Sequence, residues 1–180
     1  MAASTTKLRP HPQSPCADVE VSADVDVEAG VLVVRYAIVG DRVRTPAAGT
    51  TLDPERLWAH TCCELFVAPV LGESYVEWNF SPSGQIARFE FSGYRTRIPA
   101  GPPVGASSVV TVEGRALRLD ARVPLPADAA RMSITAVVED TSGSLSYWAL
   151  RHPCERPDFH HREGFALELT VGPSIEIVHR

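Results

Sequence analysis

Apolar and polar residues alternate along most of this chain with a period of two, the spacing that gives a strand one buried and one wetted face. The clearest case is 17–27, where Val19, Val21, Ala23, Val25 and Val27 interleave with Asp18, Glu20, Ser22, Asp24 and Asp26. Ala29-Gly30 reads as a turn into a β-branched run over 31–39, so the two segments predict a hairpin. The same pattern predicts strands over 62–68, 74–80, 85–92, 107–112, 116–123, 132–138, 145–150 and 165–171. Ser81-Pro82-Ser83-Gly84 and Glu113-Gly114-Arg115 supply turn signals between neighbouring strands. Asp53 before Pro54 predicts one helical turn over 53–58 with Asp53 as its cap, and 124–131 leaves room for another. There is no amphipathic helix of useful length and no internal repeat. About ten short strands at regular spacing predict an all-β sandwich or barrel. Residues 1–15, rich in Pro, Ser and Thr, read as a flexible N-terminal arm, which leaves 16–180 as one domain.

Composition changes this picture little. The 180 residues are 44% hydrophobic and 22% charged, suited to one folded domain burying roughly 70% of its unfolded surface. Net charge is −5 and Lys7 is the single lysine, so no basic footprint for nucleic acid is present. No apolar run approaches the roughly 20 residues that span a bilayer, and the first residues lack the apolar core of a secretory signal. A cytoplasmic location with reduced thiols is therefore expected for Cys16, Cys62, Cys63 and Cys154, which show no paired C-x-x-C spacing.

Candidate chemistry lies in three segments. In 57–66 and 75–84, Glu64, then Glu77 and Asn79, alternate with Cys63 and Leu65, or Val76, Trp78 and Phe80. A regular four-residue turn at 81–84 would set Glu77 opposite Arg88 and Tyr75 opposite Glu90. The resulting polar face would carry carboxylate acceptors and a forked cation able to grip a polar ligand. The same Glu77–Arg88 pair also reads as a cross-strand ion pair on a wet sheet. Trp78 reads as core, whereas Trp58 and Trp148 are candidate stacking surfaces. The third segment, 147–161, places His152, His160 and His161 near Cys154, Glu155 and Asp158. It reads as a loop stiffened by Pro153 and Pro157 with Asp158 and His160 bonded to backbone, as a zinc site from His152, Cys154 and His160, or as a source of an axial haem ligand. No G-x-S-x-G, H-E-x-x-H, phosphate-loop or dinucleotide pattern is present. A strand cysteine reads as inert core rather than as a nucleophile.

Taken together, W-x-x-T-C-x-E-x-F (Trp58 to Phe66), Y-x-E-x-N-F-S-P-S-G (Tyr75 to Gly84) and Y-W-A-L-x-H-P…P-D-F-H (Tyr147 to His160) resemble bacterial DOMON-like domains. That group is related to family-nine carbohydrate-binding modules and to haem-binding cytochrome domains. The resemblance implies a two-sheet, immunoglobulin-like β-sandwich with a ligand against one sheet, and sugar or haem as the ligand class. It also implies an acidic ligand-binding position at Glu64, with Glu77 and Asn79 on the next strand. The haem-binding relatives use Met with His or Lys, and no Met here falls in a matching motif. The expectation is a module that binds a small carbohydrate-like or other polar ligand without chemistry of its own. Glu64, Glu77, Asn79 and Arg88 would bind hydroxyls, Trp58 or Trp148 would stack, and His152 and His160 would close one side. The alternatives are a haem b redox or sensor domain using His152 or His160, and an enzyme with a His-rich acid–base or zinc site. No membrane or nucleic-acid partner is expected, and the residues name no protein partner.

Overall fold

The computed structural model describes residues 5–14, 18–171 and 175–179, and these form fourteen strands and two short 3-10 turns. The ten expected strands are all present: β3 (Val19–Glu28), β4 (Val31–Gly40), β5 (Cys62–Pro69), β6 (Tyr75–Phe80), β7 (Ile86–Gly93), β9 (Ser107–Glu113), β10 (Ala116–Pro124), β11 (Ala129–Glu139), β12 (Leu145–Ala149) and β13 (Leu167–Val171). The four additional strands, β1 (Thr6–Lys7), β2 (Arg9–Pro10), β8 (Thr96–Ile98) and β14 (Ile175–His179), are short pieces at sheet edges. The smaller sheet runs β1-β3-β4-β10-β9. The larger runs β14-β13-β11-β5-β6-β7-β8, with β12 beside β11 and β2 beyond it. All pairings are antiparallel.

Alternation builds the core between the sheets. Leu32, Val34, Tyr36 and Ile38 of β4 and Leu117, Leu119, Ala121 and Val123 of β10 face Cys63, Leu65, Val67, Trp78, Phe80, Met132, Ile134 and Ala136. Tyr36 is buried, and its hydroxyl donates to the carbonyl of Glu64 at 2.8 Å, so its polar tip is satisfied across the sandwich. The β3–β4 hairpin closes on Ala29 and Gly30, both at positive φ (49° and 79°), the two-residue turn whose twist matches the strands.

The expected loose arm is corrected where it is described. Thr6–Lys7 pairs with β3 and Arg9–Pro10 with β12, so the segment crosses from one sheet to the other, and Leu8 is buried between them. Two-residue strands around a proline carry no periodic signal, and only the neighbouring edges make them strands. Where another helical turn was expected, the chain makes a single turn (Ala129 N–H to Pro126 O, 3.1 Å) and enters β11. Cys62, Cys63 and Cys154 are free thiols, while Cys16 lies outside the described residues. Among the described residues no helix is long and apolar enough to cross a membrane.

Candidate ligand site on the outer face of the larger sheet

Strand β5 is buried on both faces. Its inner residues join the sandwich core. Its outer residues Cys62, Phe66 and Ala68 join Tyr75, Ala87, Phe89, Phe91, Leu57 and Phe165 in a second apolar cluster. The polar positions predicted from alternation lie within this outer layer. Across the strands, Glu64 pairs with Asn79, and Glu77 lies between Phe66 and Phe89. Glu64, Glu77 and Asn79 are 3%, 5% and 0% exposed. The Asn79 amide donates to Glu77 Oε1 at 2.8 Å, and Thr135 Oγ1 donates to Glu64 Oε2 at 3.2 Å. Asn79 Oδ1 is buried with no donor facing it among the described residues.

Burial decides the charge of this floor. It pushes the Glu64 carboxyl well above the usual carboxylate range, and the nearby Glu77 adds to the effect. Burial raises Glu77 to about 7, held back by the Asn79 hydrogen bond and by the fields of Arg95 and Arg97. At neutral pH the two carboxyls therefore retain at least one proton, so the floor offers donors as well as acceptors.

A short relay leads away from it. The backbone N–H of Arg95 donates to the Tyr75 hydroxyl at 3.1 Å, and that oxygen lies 2.8 Å from His160 Nδ1. The hydroxyl accepts from that amide, and the imidazole is held between its oxygen on the Nδ1 side and Glu77 Oε2, 3.8 Å from Nε2. Burial, then Arg95, lower the His160 pKa to about 4, so this last contact joins a neutral ring to the carboxyl and is no ion pair near pH 7. The loop is pinned by Asp158, which accepts from the His160 N–H (3.0 Å), from Tyr94 Oη (2.5 Å) and from Arg95 Nη2 (2.9 Å). Arg95 sits at φ 52° in the tight β7–β8 turn, a left-handed conformation uncommon outside glycine, and this turn aims its N–H at Tyr75.

Over the floor opens a cavity of about 600 Å³. Its lining includes Glu64, Glu77 and His160, the rings of Trp58, Phe66, Phe89, Phe91, Tyr147 and Phe159, and the charged side chains of Glu55, Arg95, Arg97 and Arg156. Trp58, 40% exposed, stands on the 3-10 turn Pro54–Ala59, which begins as predicted with Asp53 Oδ1 accepting from Glu55 N–H at 3.0 Å. Arg97 holds Glu55 through both of its terminal nitrogens and lies 4.3 Å over the Phe89 ring.

Of the residues expected at a site, Glu64, Glu77, Trp58 and His160 line this cavity and Asn79 is buried behind them on Glu77, whereas three others are not brought here. Arg88 falls opposite Trp78 rather than Glu77. The 81–84 turn is a type I turn (Gly84 N–H to Ser81 O, 2.9 Å) followed by Gly84 at φ 93°, with Ser81 bonded to Gln85. This is a three-residue loop rather than a four-residue one, and a one-residue slip sends every side chain of the strand to the other face. Arg88 instead pairs with Glu90 at 2.6 Å and lies 5.5 Å over Trp78. Trp148 is 3% exposed in the inter-sheet core, its Nε1 donating to Ser146 Oγ at 2.9 Å, and offers no stacking face. His152 is absent from the cavity lining, and its Nε2 meets the carbonyl of Arg9 at 2.8 Å.

The haem alternative fits poorly. Both ring nitrogens of His160 are turned to protein groups, and His152 stands outside the cavity. Among the described residues no three His, Cys, Asp or Glu side chains converge as metal ligands. The site residues missing from the sequence reading are Arg95, Arg97, Arg156, Tyr147 and Phe159. Arg95 and Arg97 did leave a trace, two residues apart after the last predicted strand of the hairpin, but β8 is too short for a periodic pattern.

No family model matches the chain, and no curated protein matches it in sequence. Its fold is shared by a protein of Bacteroides uniformis proposed to bind carbohydrate, with a TM-score of 0.70 at 18% identity over 91% of this chain and 84% of that one. It is shared also by a family-nine carbohydrate-binding module of Caldicellulosiruptor kristjanssonii solved with cellotriose, with a TM-score of 0.57 at 11% identity over 82% of this chain and 72% of that one. The chain thus has the two-sheet β-sandwich fold found in carbohydrate-binding modules.

Proposed function

We propose that this protein is a non-catalytic module that binds a small carbohydrate-like ligand in the cavity over the larger sheet. The observation that carries the reading is a pair of buried carboxyls, Glu64 and Glu77, at the floor of a cavity rich in aromatic rings, with the unpartnered amide oxygen of Asn79 buried beside them. A pyranose presents that same division, with hydroxyls that donate and accept along its edge and C–H groups on its faces. Glu64 and Glu77 would receive the edge, with Asn79 holding Glu77 from behind, and Trp58 at the rim would receive a face. The three segments behind the DOMON-like resemblance all contribute residues to this cavity, which supports that kinship. The shared fold is in keeping with the reading but does not by itself carry a function across.

Calorimetry and tryptophan fluorescence with glucose, cellobiose and cellotriose test it. Saturable binding is expected, weakened more than about tenfold by Trp58→Ala or Glu77→Gln and unchanged by Arg88→Ala. If this panel and the charged sugars glucuronate and glucose 6-phosphate all give no heat and no fluorescence change, or if Trp58→Ala binds like the parent protein, the cavity is not a sugar site. Hemin titration separates the haem alternative, which requires a Soret band that disappears in His160→Ala.

A further inference from the structure

Away from the cavity, three arginines of the smaller sheet and its turns are matched by carboxylates. Arg35 meets Asp24, Asp26 and Glu28, each at 3.0 Å, Arg122 meets Glu28 at 2.9 Å, and Arg115 meets Asp41 at 3.1 Å. At the cavity mouth two arginines are matched and a third is not. Arg95 reaches Asp158 through Nη2, Arg97 is held by Glu55, and exposed Arg156 makes no ion pair among the described residues. The remaining carboxyls of the lining, Glu64 and Glu77, lie at the floor, where burial favours the protonated form over full negative charge. They therefore only partly balance the arginines above them. In a protein of net charge −5, the rim of this aromatic cavity is a local excess of positive charge. A neutral ligand entering such a site replaces water on a cation with hydroxyl acceptors only, whereas a ligand with its own anion replaces that water with a stronger charge-assisted bond.

On the reading of the cavity as a sugar site, we propose that its ligand is an acidic sugar, a ring carrying a carboxylate or a phosphate. Its hydroxyls meet Glu64 and Glu77, and its anion meets Arg156 with Arg95 and Arg97 beside it. The planar fork of arginine suits both anions, since each offers two oxygens to parallel N–H groups.

Glucose, glucuronate and glucose 6-phosphate differ only at C6 and form the test, read by calorimetry at low salt on the full chain. At least one of the two anions should bind about tenfold tighter than glucose, with the preference shrinking as sodium chloride is added. Preference for glucuronate identifies a carboxylate ligand, preference for glucose 6-phosphate a phosphate ligand, and either supports the proposal. Arg156→Gln, a change at an exposed side chain, should bring the ratio of anionic to neutral affinity close to one. Glucose binding as tightly as both anions overturns the acidic-sugar proposal and leaves the sugar site standing, as does a preference that survives Arg156→Gln. Inorganic phosphate binding as tightly as glucose 6-phosphate overturns it as well, since the arginines would then hold any anion. Failure of all three ligands, together with the neutral oligosaccharides, removes both readings.

Discussion

On the smaller sheet, Arg35 meets Asp24, Asp26 and Glu28 in the open; on the larger, Glu64, Glu77 and Asn79 meet one another beneath aromatic rings. Both outer faces arise from the same two-residue alternation, and both put acidic residues on it. What separates them is the covering. The smaller sheet faces water, so its carboxylates pair with arginines at little net gain. The larger sheet is roofed by the 3-10 turn Pro54–Ala59 and by the loop that carries Phe159 and His160, so its carboxyls lose water and keep protons. The first face contributes solubility. The second has a dry, polar floor of the kind that can recognise a ligand.

This contrast is open to attack at several points. The largest effect is expected from Phe66→Ala, which opens a cavity beneath the Tyr75, His160 and Phe165 rings and should cost about 3–5 kcal/mol in urea unfolding. A loss below about 1 kcal/mol would show the outer layer to be loose and the comparison mistaken.

The pH dependence comes next, and its two arms have opposite signs. Glu77 is raised in the fold to about 7, so its contribution is full below its unfolded value near 4.5 and disappears as pH rises through 7. His160 is lowered to about 4, so its contribution is full above its unfolded value near 6.5 and disappears as pH falls through 4. Glu77→Gln should therefore leave a protein that weakens toward acid between pH 6.5 and 4, and His160→Gln one that weakens toward neutrality between pH 4.5 and 7. Each arm is on the order of 3 kcal/mol or less, measured by denaturant unfolding across the range. Parallel curves for the two variants would contradict the buried, protonated floor.

Arg35→Ala probes the open face. It should cost roughly 1 kcal/mol or less, and the cost should shrink in high salt. A larger, salt-independent loss would mean that the smaller sheet also depends on its charges. The smallest effect is expected at Ala29, whose φ of 49° is strained for an alanine. Ala29→Asn should raise stability by about 0.5 kcal/mol, seen as a higher midpoint in thermal unfolding.

Much of this molecule was legible from its pattern because a period of two states which residues of one strand share a face. That was enough for the ten main strands, the Ala29-Gly30 hairpin, the Asp53 cap, the place of Trp78 in the core and the common face of Glu64, Glu77 and Asn79. Alternation does not state what lies above a face, nor how one strand is set against the next. One loop residue fewer at Gly84 moved Arg88 to the far side. Packing between the sheets, not residue type, buried Trp148 and left Trp58 at the rim. The segment from Thr6 to Pro10 became strand only because two sheet edges were there to receive it. The protons on the floor were likewise decided by tertiary structure, since the ionisation of a carboxyl depends on the water around it, and residues far along the chain remove that water from Glu64 and Glu77.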